Sequence, residues 1–282
     1  MTVDALGVED RVTFLKDELL RRGDSGPKVL DLQRHLVEAG YNLKPDGDFG
    51  SNTEKAVIAF QKSKGLVVDG VVGPKTLTLL CGKCTTHKFL THKDLEAAAK
   101  SLSVPIAAVM AVNEVESKGT GFLASGRPVI LYERHIMYRE LRDYGVDPVQ
   151  AMRNAPGLVN TARGGYLGGE KEWLRMEKAQ QICHDAALES ASWGAYQIMG
   201  FHWELLGFDS VQDYVDFVSV NEANQLECFV RFIKSQKALW AALKALDWAT
   251  FARRYNGPKY KENKYDTKLK TAFDRAVLVL AA

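Results

Sequence analysis

Two copies of one eight-residue pattern, 23 residues apart, constrain this chain more than any other feature. Asp46-Gly47-Asp48-Phe49-Gly50-Ser51-Asn52-Thr53 and Asp69-Gly70-Val71-Val72-Gly73-Pro74-Lys75-Thr76 both read D-G-x-x-G-x-x-T. Paired glycines punctuate a turn, and a helical pattern follows each copy, so each reads as a turn that opens a helix. In the first copy Ser51 and Glu54 are spaced as a capping box, in which each side chain satisfies the other residue's free backbone N–H. In the second, Pro74 suits the first helical position, where its missing N–H would have no partner anyway. A further helix is predicted from about Asp24-Ser25-Gly26-Pro27, with Val29, Leu32, Leu36 and Val37 as its apolar stripe. The middle helix carries Val57, Phe60 and Gln61. Residues 20–80 therefore read as three short helices joined by glycine turns. The glycines are explained as turn residues and Phe60 as core, so the repeat speaks to a fold and not to a ligand.

At 282 residues, 46% of them hydrophobic, the chain is long enough for one small and one medium domain, each with its own core. The polar stretch Gly82–Lys88 is the expected boundary, dividing residues 1–85 from 86–282. The 37 basic and 35 acidic side chains nearly cancel, which argues against a nucleic-acid partner. Charge is local instead: residues 253–275 hold eight basic side chains against three acidic ones. The N-terminus has acidic residues where a signal peptide needs basic ones, and no segment reaches the ~18 consecutive apolar residues of a membrane span. Synthesis in the cytoplasm without stable membrane insertion is the expectation. Four cysteines are too few for a disulfide scaffold. Cys183 and Cys228 read as packed thiols, and Cys81-x-x-Cys84 near His87 lacks the further ligands of a zinc site, so no metal and no cofactor are expected.

Beyond the boundary the pattern is helical. Thr91 is an N-cap with Asp94 three residues on, and a helix from Ile106 to about Ser117 is apolar almost all round, so it should be buried. It ends in Val112-Asn113-Glu114-Val115-Glu116-Ser117. Glu116 projects between Val109 and Val112, and Glu114 on the opposite side, between Met110 and Ala107. Both sides are apolar, so geometry does not choose between them. Desolvation would raise the pKa of either, as a general acid at neutral pH requires. The run Arg163–Glu170 holds four glycines and reads as a loop over a cleft. No G-x-x-x-x-G-K-[ST], H-E-x-x-H or G-x-S-x-G is present, so nucleotide, zinc-protease and serine-hydrolase chemistry lack their motifs.

Family resemblance separates the two glutamates. The N-terminal segment, LRRGDSGPKVLDLQRHL with the two D-G-x-x-G-x-x-T turns, resembles the peptidoglycan-binding type 1 module of wall hydrolases. Glu116-Ser117, Trp193-Gly194-Ala195-Tyr196-Gln197-Ile198-Met199-Gly200 and Tyr255-Asn256-Gly257 resemble the goose-type lysozyme and lytic transglycosylase fold. The runs EVESKGTGFLASGRPVILYERHIMYREL, RGGYLGGEKEWLRMEKA and SASWGAYQIMG are more similar still to the N-acetylmuramidase domain of modular phage endolysins, over roughly residues 95–280. Position by position, Glu116 matches that family's catalytic glutamate.

Glycoside hydrolysis usually takes two carboxylates, and Glu133 is the candidate for the second, with an ion pair to Arg134 or Arg139 as its structural alternative. His135 is placed to orient Glu133 or to touch sugar. Tyr196, Gln197, Tyr255 and Asn256 suit carbohydrate, since amides serve hydroxyl and N-acetyl groups and aromatic faces stack on sugar rings. Gln197 and Tyr255 are expected in the cleft, and Trp193, Trp203, Trp240 and Trp248 mostly in the core.

The fold class expected is mainly α: a three-helix wall-binding module plus a larger lysozyme-like helical domain. The resemblance implies a peptidoglycan hydrolase that cuts the β-1,4 bond between N-acetylmuramic acid and N-acetylglucosamine, with bacterial lysis as the outcome. It further implies an enzyme held in the host cytoplasm, which depends on a separate holin-type protein to reach the wall; a monomer is expected, since nothing in the sequence suggests otherwise. The rival readings are a lytic transglycosylase using the same glutamate and a non-catalytic wall-binding or virion protein.

Overall fold

The computed structural model describes residues 19–81, 88–117 and 120–281. The expected boundary at 85/86, Cys84 and His87 lie outside the described residues. The chain is mainly α, as expected: a small N-terminal helical module and a larger helical domain, each around its own hydrophobic core.

The N-terminal module is built from α1 (Pro27–Glu38), α2 (Ser51–Lys64) and α3 (Pro74–Leu80). What makes its two repeated turns alike is a buried glutamine on the preceding helix. Gln33, 1% exposed, accepts from the amides of Asp46 (2.9 Å) and Gly47 (2.8 Å) and donates to Asp46 Oδ1 (2.8 Å) and Thr53 Oγ1 (2.9 Å). Gln61 does the same for the second copy, accepting from Asp69 N (3.2 Å) and Gly70 N (3.0 Å) and donating to Asp69 Oδ1 (2.8 Å) and Thr76 Oγ1 (3.5 Å). Each aspartate also closes its own turn, accepting from the amide two residues on: Asp48 at 3.0 Å and Val71 at 2.9 Å. The backbone turns through positive φ at Gly47 and Gly70, where a side chain would be strained. The fourth residue of each pattern, Phe49 or Val72, then drops into the core with Leu32, Leu36, Val57 and Phe60. Each such burial contributes about 1.5–3 kcal/mol.

Two expectations here are corrected. Helix α2 has Gly50 as its N-cap, in extended conformation, and Ser51 already lies inside the first turn, so the Ser51–Glu54 capping box does not form. Glu54 instead accepts from Arg22 Nη1 at 3.2 Å. Val37 is exposed, because it follows Leu36 by a single residue and so turns away from the stripe of Val29, Leu32 and Leu36. Pro74 does occupy the first position of α3.

The larger domain begins with α4 (His92–Leu102), whose N-cap Thr91 and Asp94 form a reciprocal capping box. A left-handed Ser103 and extended Pro105 turn the chain into α5 (Ile106–Glu116). The middle of α5 is small and apolar, and it packs lengthwise on the last helix, α14 (Tyr265–Leu280), where the buried alanines Ala272 and Ala276 permit close approach. Between them come β1 (Ile130–Tyr132), α6 (Arg134–Glu140), α7 (Pro148–Asn154), α8 (Glu170–Gln180), α9 (His184–Glu189), β2 (Ala191–Trp193) and β3 (Ile198–Met199). Then follow α10 (Val211–Val220), α11 (Glu222–Ser235), α12 (Lys237–Lys244) and α13 (Trp248–Tyr255).

The three strands form one small antiparallel sheet in the order β1-β2-β3, with Leu131 opposite Ser192 and Trp193 opposite Ile198. The β2–β3 hairpin turns through left-handed backbone at both Gly194 and Gln197. Trp193 and Trp248 are buried core, and Cys228 is a packed thiol. No single helix among the described residues is long and apolar enough to cross a membrane.

Candidate active site

Helix α5 carries the buried carboxyls to the place where the site forms. Its last turn sends Glu114 and Glu116 in opposite directions, as side chains two residues apart must go at about 100° per residue. Glu114 turns to cations: it is ion-paired with Arg275 of α14, and Arg21 Nη1 of the N-terminal module stands 3.7 Å from its other oxygen. Among the described residues Glu116 meets no cation at contact distance. Its Oε2 accepts from Asn256 Nδ2 at 2.9 Å, and its Oε1 is buried without a hydrogen-bond partner among them. Burial pushes the Glu116 carboxyl up to about 7, against the opposing pull of the Asn256 hydrogen bond and the Lys268 charge. Two carboxyls that helical geometry leaves alike thus differ in their partners: one glutamate is neutralised by arginine, the other desolvated.

Glu116 lies on the wall of a cavity of ≈ 470 Å³. Gln197 and Tyr255 line it as expected, and so do Tyr196, His202, Arg254 and Tyr265. The Gln197 amide is spent on its own hairpin: Oε1 accepts from Ser192 Oγ at 2.9 Å and Nε2 donates to Gly194 O at 2.8 Å. Tyr255 stands in an aromatic wall, parallel to Phe251 and edge-on to Phe229 and Phe232. Asn256 holds Glu116, and its own Oδ1 is buried and unpartnered. Tyr196 is only 3% exposed, with its hydroxyl donated to Asn113 Oδ1 at 2.7 Å and its ring stacked on Phe229. It forms wall and offers no open face, unlike the sugar platform expected of it.

Glu133 is not part of this lining. It follows β1 directly, as the N-cap of α6, and accepts from Tyr166 Oη at 3.0 and 2.8 Å, while His135 Nδ1 lies 3.2 Å from its Oε2. The alternative ion pair is absent: Arg134 donates to the carbonyls of Ala162 and Arg163, and Arg139 pairs with Glu140. The glycine-rich run 163–169 therefore folds toward Glu133 through Tyr166, and none of its residues lines the Glu116 cavity. Glu189 is a further buried carboxyl that motif reading passed over, but Trp203 Nε1 (2.7 Å) and Tyr144 Oη (3.0 Å) hold it in place. His202, Arg254 and Tyr265 were missed because each sits alone in unremarkable helical sequence, and only tertiary contact brings them together.

The arrangement suits proton donation. Because Asn256 donates into Oε2, the proton of a neutral Glu116 belongs on Oε1, the oxygen without a protein partner. Such a group near pKa 7 can protonate a leaving oxygen at neutral pH.

The N-acetylmuramidase family matches residues 105–277, more than half of the chain, and the peptidoglycan binding domain family matches residues 25–80. The crystal structure of the Burkholderia AP3 phage endolysin is similar with a TM-score of 0.87 and 52% identity, covering 92% of this chain and 99% of that one. A spore cortex-lytic enzyme of Bacillus cereus is 41% identical over 83 residues, 29% of this chain and 32% of that protein. An N-acetylmuramoyl-L-alanine amidase of Bacillus licheniformis, CwlL, is 43% identical over 61 residues, 21% of this chain and 17% of that protein. The chain thus spans about a third or less of the length of these two curated relatives.

Proposed function

The chain belongs to the N-acetylmuramidase family, and from that premise we propose that it is an endolysin that hydrolyses the β-1,4 bond between N-acetylmuramic acid and N-acetylglucosamine in peptidoglycan. One observation carries the assignment of the acid: a glutamate at the end of a buried helix, held near pKa 7 by desolvation, with one oxygen free on the wall of a cavity. Glu116 gives its proton to the glycosidic oxygen as the bond breaks. The carboxylate left behind is steadied by the Asn256 amide and the positive charge of Lys268. Gln197, Tyr255 and Tyr196 border the sugar-binding cavity, and Asn256 holds the carboxyl of Glu116.

Glu133 is the proposed second carboxylate, which activates water or attacks the sugar, and His135 and Tyr166 orient it. Its place outside the Glu116 cavity favours a second reading, a lytic transglycosylase, in which the sugar's own hydroxyl attacks and no second carboxylate is needed. Residues 1–85 form the wall-binding part and 86–282 the catalytic part. The likeness to a phage endolysin over 92% of the chain supports action on the cell wall after release. The protein proposed here is a monomer stored in the host cytoplasm and admitted to the wall by a separate holin-type protein.

Mass spectrometry of fragments released from purified sacculi tests the reading. Reducible muramic acid ends from the wild type, lost with Glu116→Gln, are expected. Anhydro-muramic ends would make the enzyme a transglycosylase, and sacculus binding without any release would leave a wall-binding protein.

A further inference from the structure

Helix α11 reaches the Glu116 cavity through Phe232, and none of residues 222–225 in its first turn lines that cavity. It carries two buried polar side chains three residues apart, Glu222 and Gln225, 1% and 2% exposed. Glu222 Oε1 accepts from Gly121 N at 2.8 Å, and its Oε2 accepts from Leu90 N at 2.8 Å and from Lys75 Nζ of the N-terminal module at 2.6 Å. Gln225 Oε1 accepts from Ala195 N at 2.8 Å, and its Nε2 donates to Val218 O at 3.0 Å and Gly121 O at 3.3 Å.

Gly121 is therefore gripped at its N–H by one side chain and at its C=O by the other. A Cβ there would lie 1.9 Å from Gln225 Oε1, and a Cβ on Gly194 2.4 Å from Gln225 Cδ, so a side chain at either position would displace the glutamine. These two glycines admit the glutamine. Gly121 stands five residues after Glu116, and Ala195 two residues before Gln197. Two segments far apart in sequence, each carrying a residue of the candidate site, thus meet on one helical turn. A buried carboxylate holds such a place only while its donors are present, because desolvation leaves an unpaired charge unstable.

We infer that Glu222 and Gln225 are positioning residues for the Glu116 site, and that through Lys75 they make the N-terminal module part of the catalytic scaffold. The inference rests on the reading of Glu116 as the acid. Its consequence differs from that of a wall anchor: losing the Lys75 contact lowers turnover even on a soluble substrate that needs no anchoring.

The test uses the full chain and a soluble peptidoglycan tetrasaccharide, measuring kcat, KM, the pH profile and Tm for wild type, Lys75→Met, Lys75→Arg and Gln225→Ala. Lys75 is partly exposed, so its substitution leaves both cores intact. Lys75→Met is expected to lower kcat about tenfold with KM moving less than about twofold, as misplacement of a catalytic group does. Lys75→Arg restores most of it. The alkaline limb, set by Glu116 among Asn256, Lys268, Arg254, Tyr255, Tyr265 and His202, is expected to move to lower pH as the site loosens and admits water. Wild-type kcat and an unmoved limb in both Lys75→Met and Gln225→Ala, whatever happens to Tm, would overturn the inference. A wild type that cuts neither this fragment nor sacculi would sink the muramidase reading as well, and the wild-type control identifies that case.

Discussion

A general acid must hold its proton until the substrate arrives, and in Glu116, the acid proposed here, the loss of surrounding water would do the holding. Only the protonated form can serve the leaving oxygen, so activity on a soluble glycan is expected to fall as pH rises through about 7. A profile flat from pH 6 to 9 would contradict it. Glu116→Gln keeps the shape and removes the proton, and a loss of about 10²-fold or more in kcat is expected. Stability should move the other way. The folded pKa lies above the usual 4.5, so the native protein binds this proton more tightly than the unfolded chain and loses stability as pH rises from about 4.5 to 7. Glu116→Gln is therefore expected to raise Tm at pH 8, with the gain vanishing near pH 4. At this scale helical geometry left two glutamates open, and only family resemblance pointed to Glu116. The residues that give the two their different surroundings, Arg275 and Asn256, lie 161 and 140 residues away, beyond the reach of local pattern.

At the scale of elements, the repeated turns of the N-terminal module depend less on their own residues than on Gln33 and Gln61 behind them. Gln33→Leu would leave the amides of Asp46 and Gly47 without their partner in a partly buried turn, and the Asp46 carboxylate with the Asp48 amide alone. A destabilisation of about 2–4 kcal/mol is expected from several lost hydrogen bonds, measured by urea unfolding; a change within about 0.5 kcal/mol would show that the turn is self-sufficient. In the β2–β3 region Gly200 is equally restrictive, since a Cβ there would lie 2.1 Å from Leu188 O, a backbone atom. Gly200→Ala is expected to lower Tm by several degrees through forced backbone shifts. The D-G-x-x-G-x-x-T pattern was legible because turn and helix-start preferences are local. The clamping glutamines were not, since they precede their aspartates by 13 and 8 residues, which no fixed period reveals.

Among the described residues, ion pairs link the N-terminal module to the larger domain: Lys75 with Glu222, and Arg21 with Glu114, which also pairs with Arg275 inside the larger domain. Glu114→Gln deprives two arginines of their carboxylate, one of them half-buried on α14. A loss of about 1–3 kcal/mol is expected from breaking such a pair, seen as a lower urea midpoint that 1 M salt does not abolish. An effect erased by salt would place the pair in the solvent-screened class instead.

By itself the sequence determined the mainly α fold, the two glycine turns, the Thr91 cap and the buried helix that ends at a glutamate. These follow from periodicity, capping and backbone stereochemistry, which act within a few residues. Tertiary structure alone decided that Glu114 is paired and Glu116 desolvated, that Glu133 turns to Tyr166 and His135 outside the Glu116 cavity, and that one turn of α11 holds Gly121 and Ala195 together. Desolvation and charge pairing depend on which distant segments arrive at a side chain, and local pattern carries no record of that.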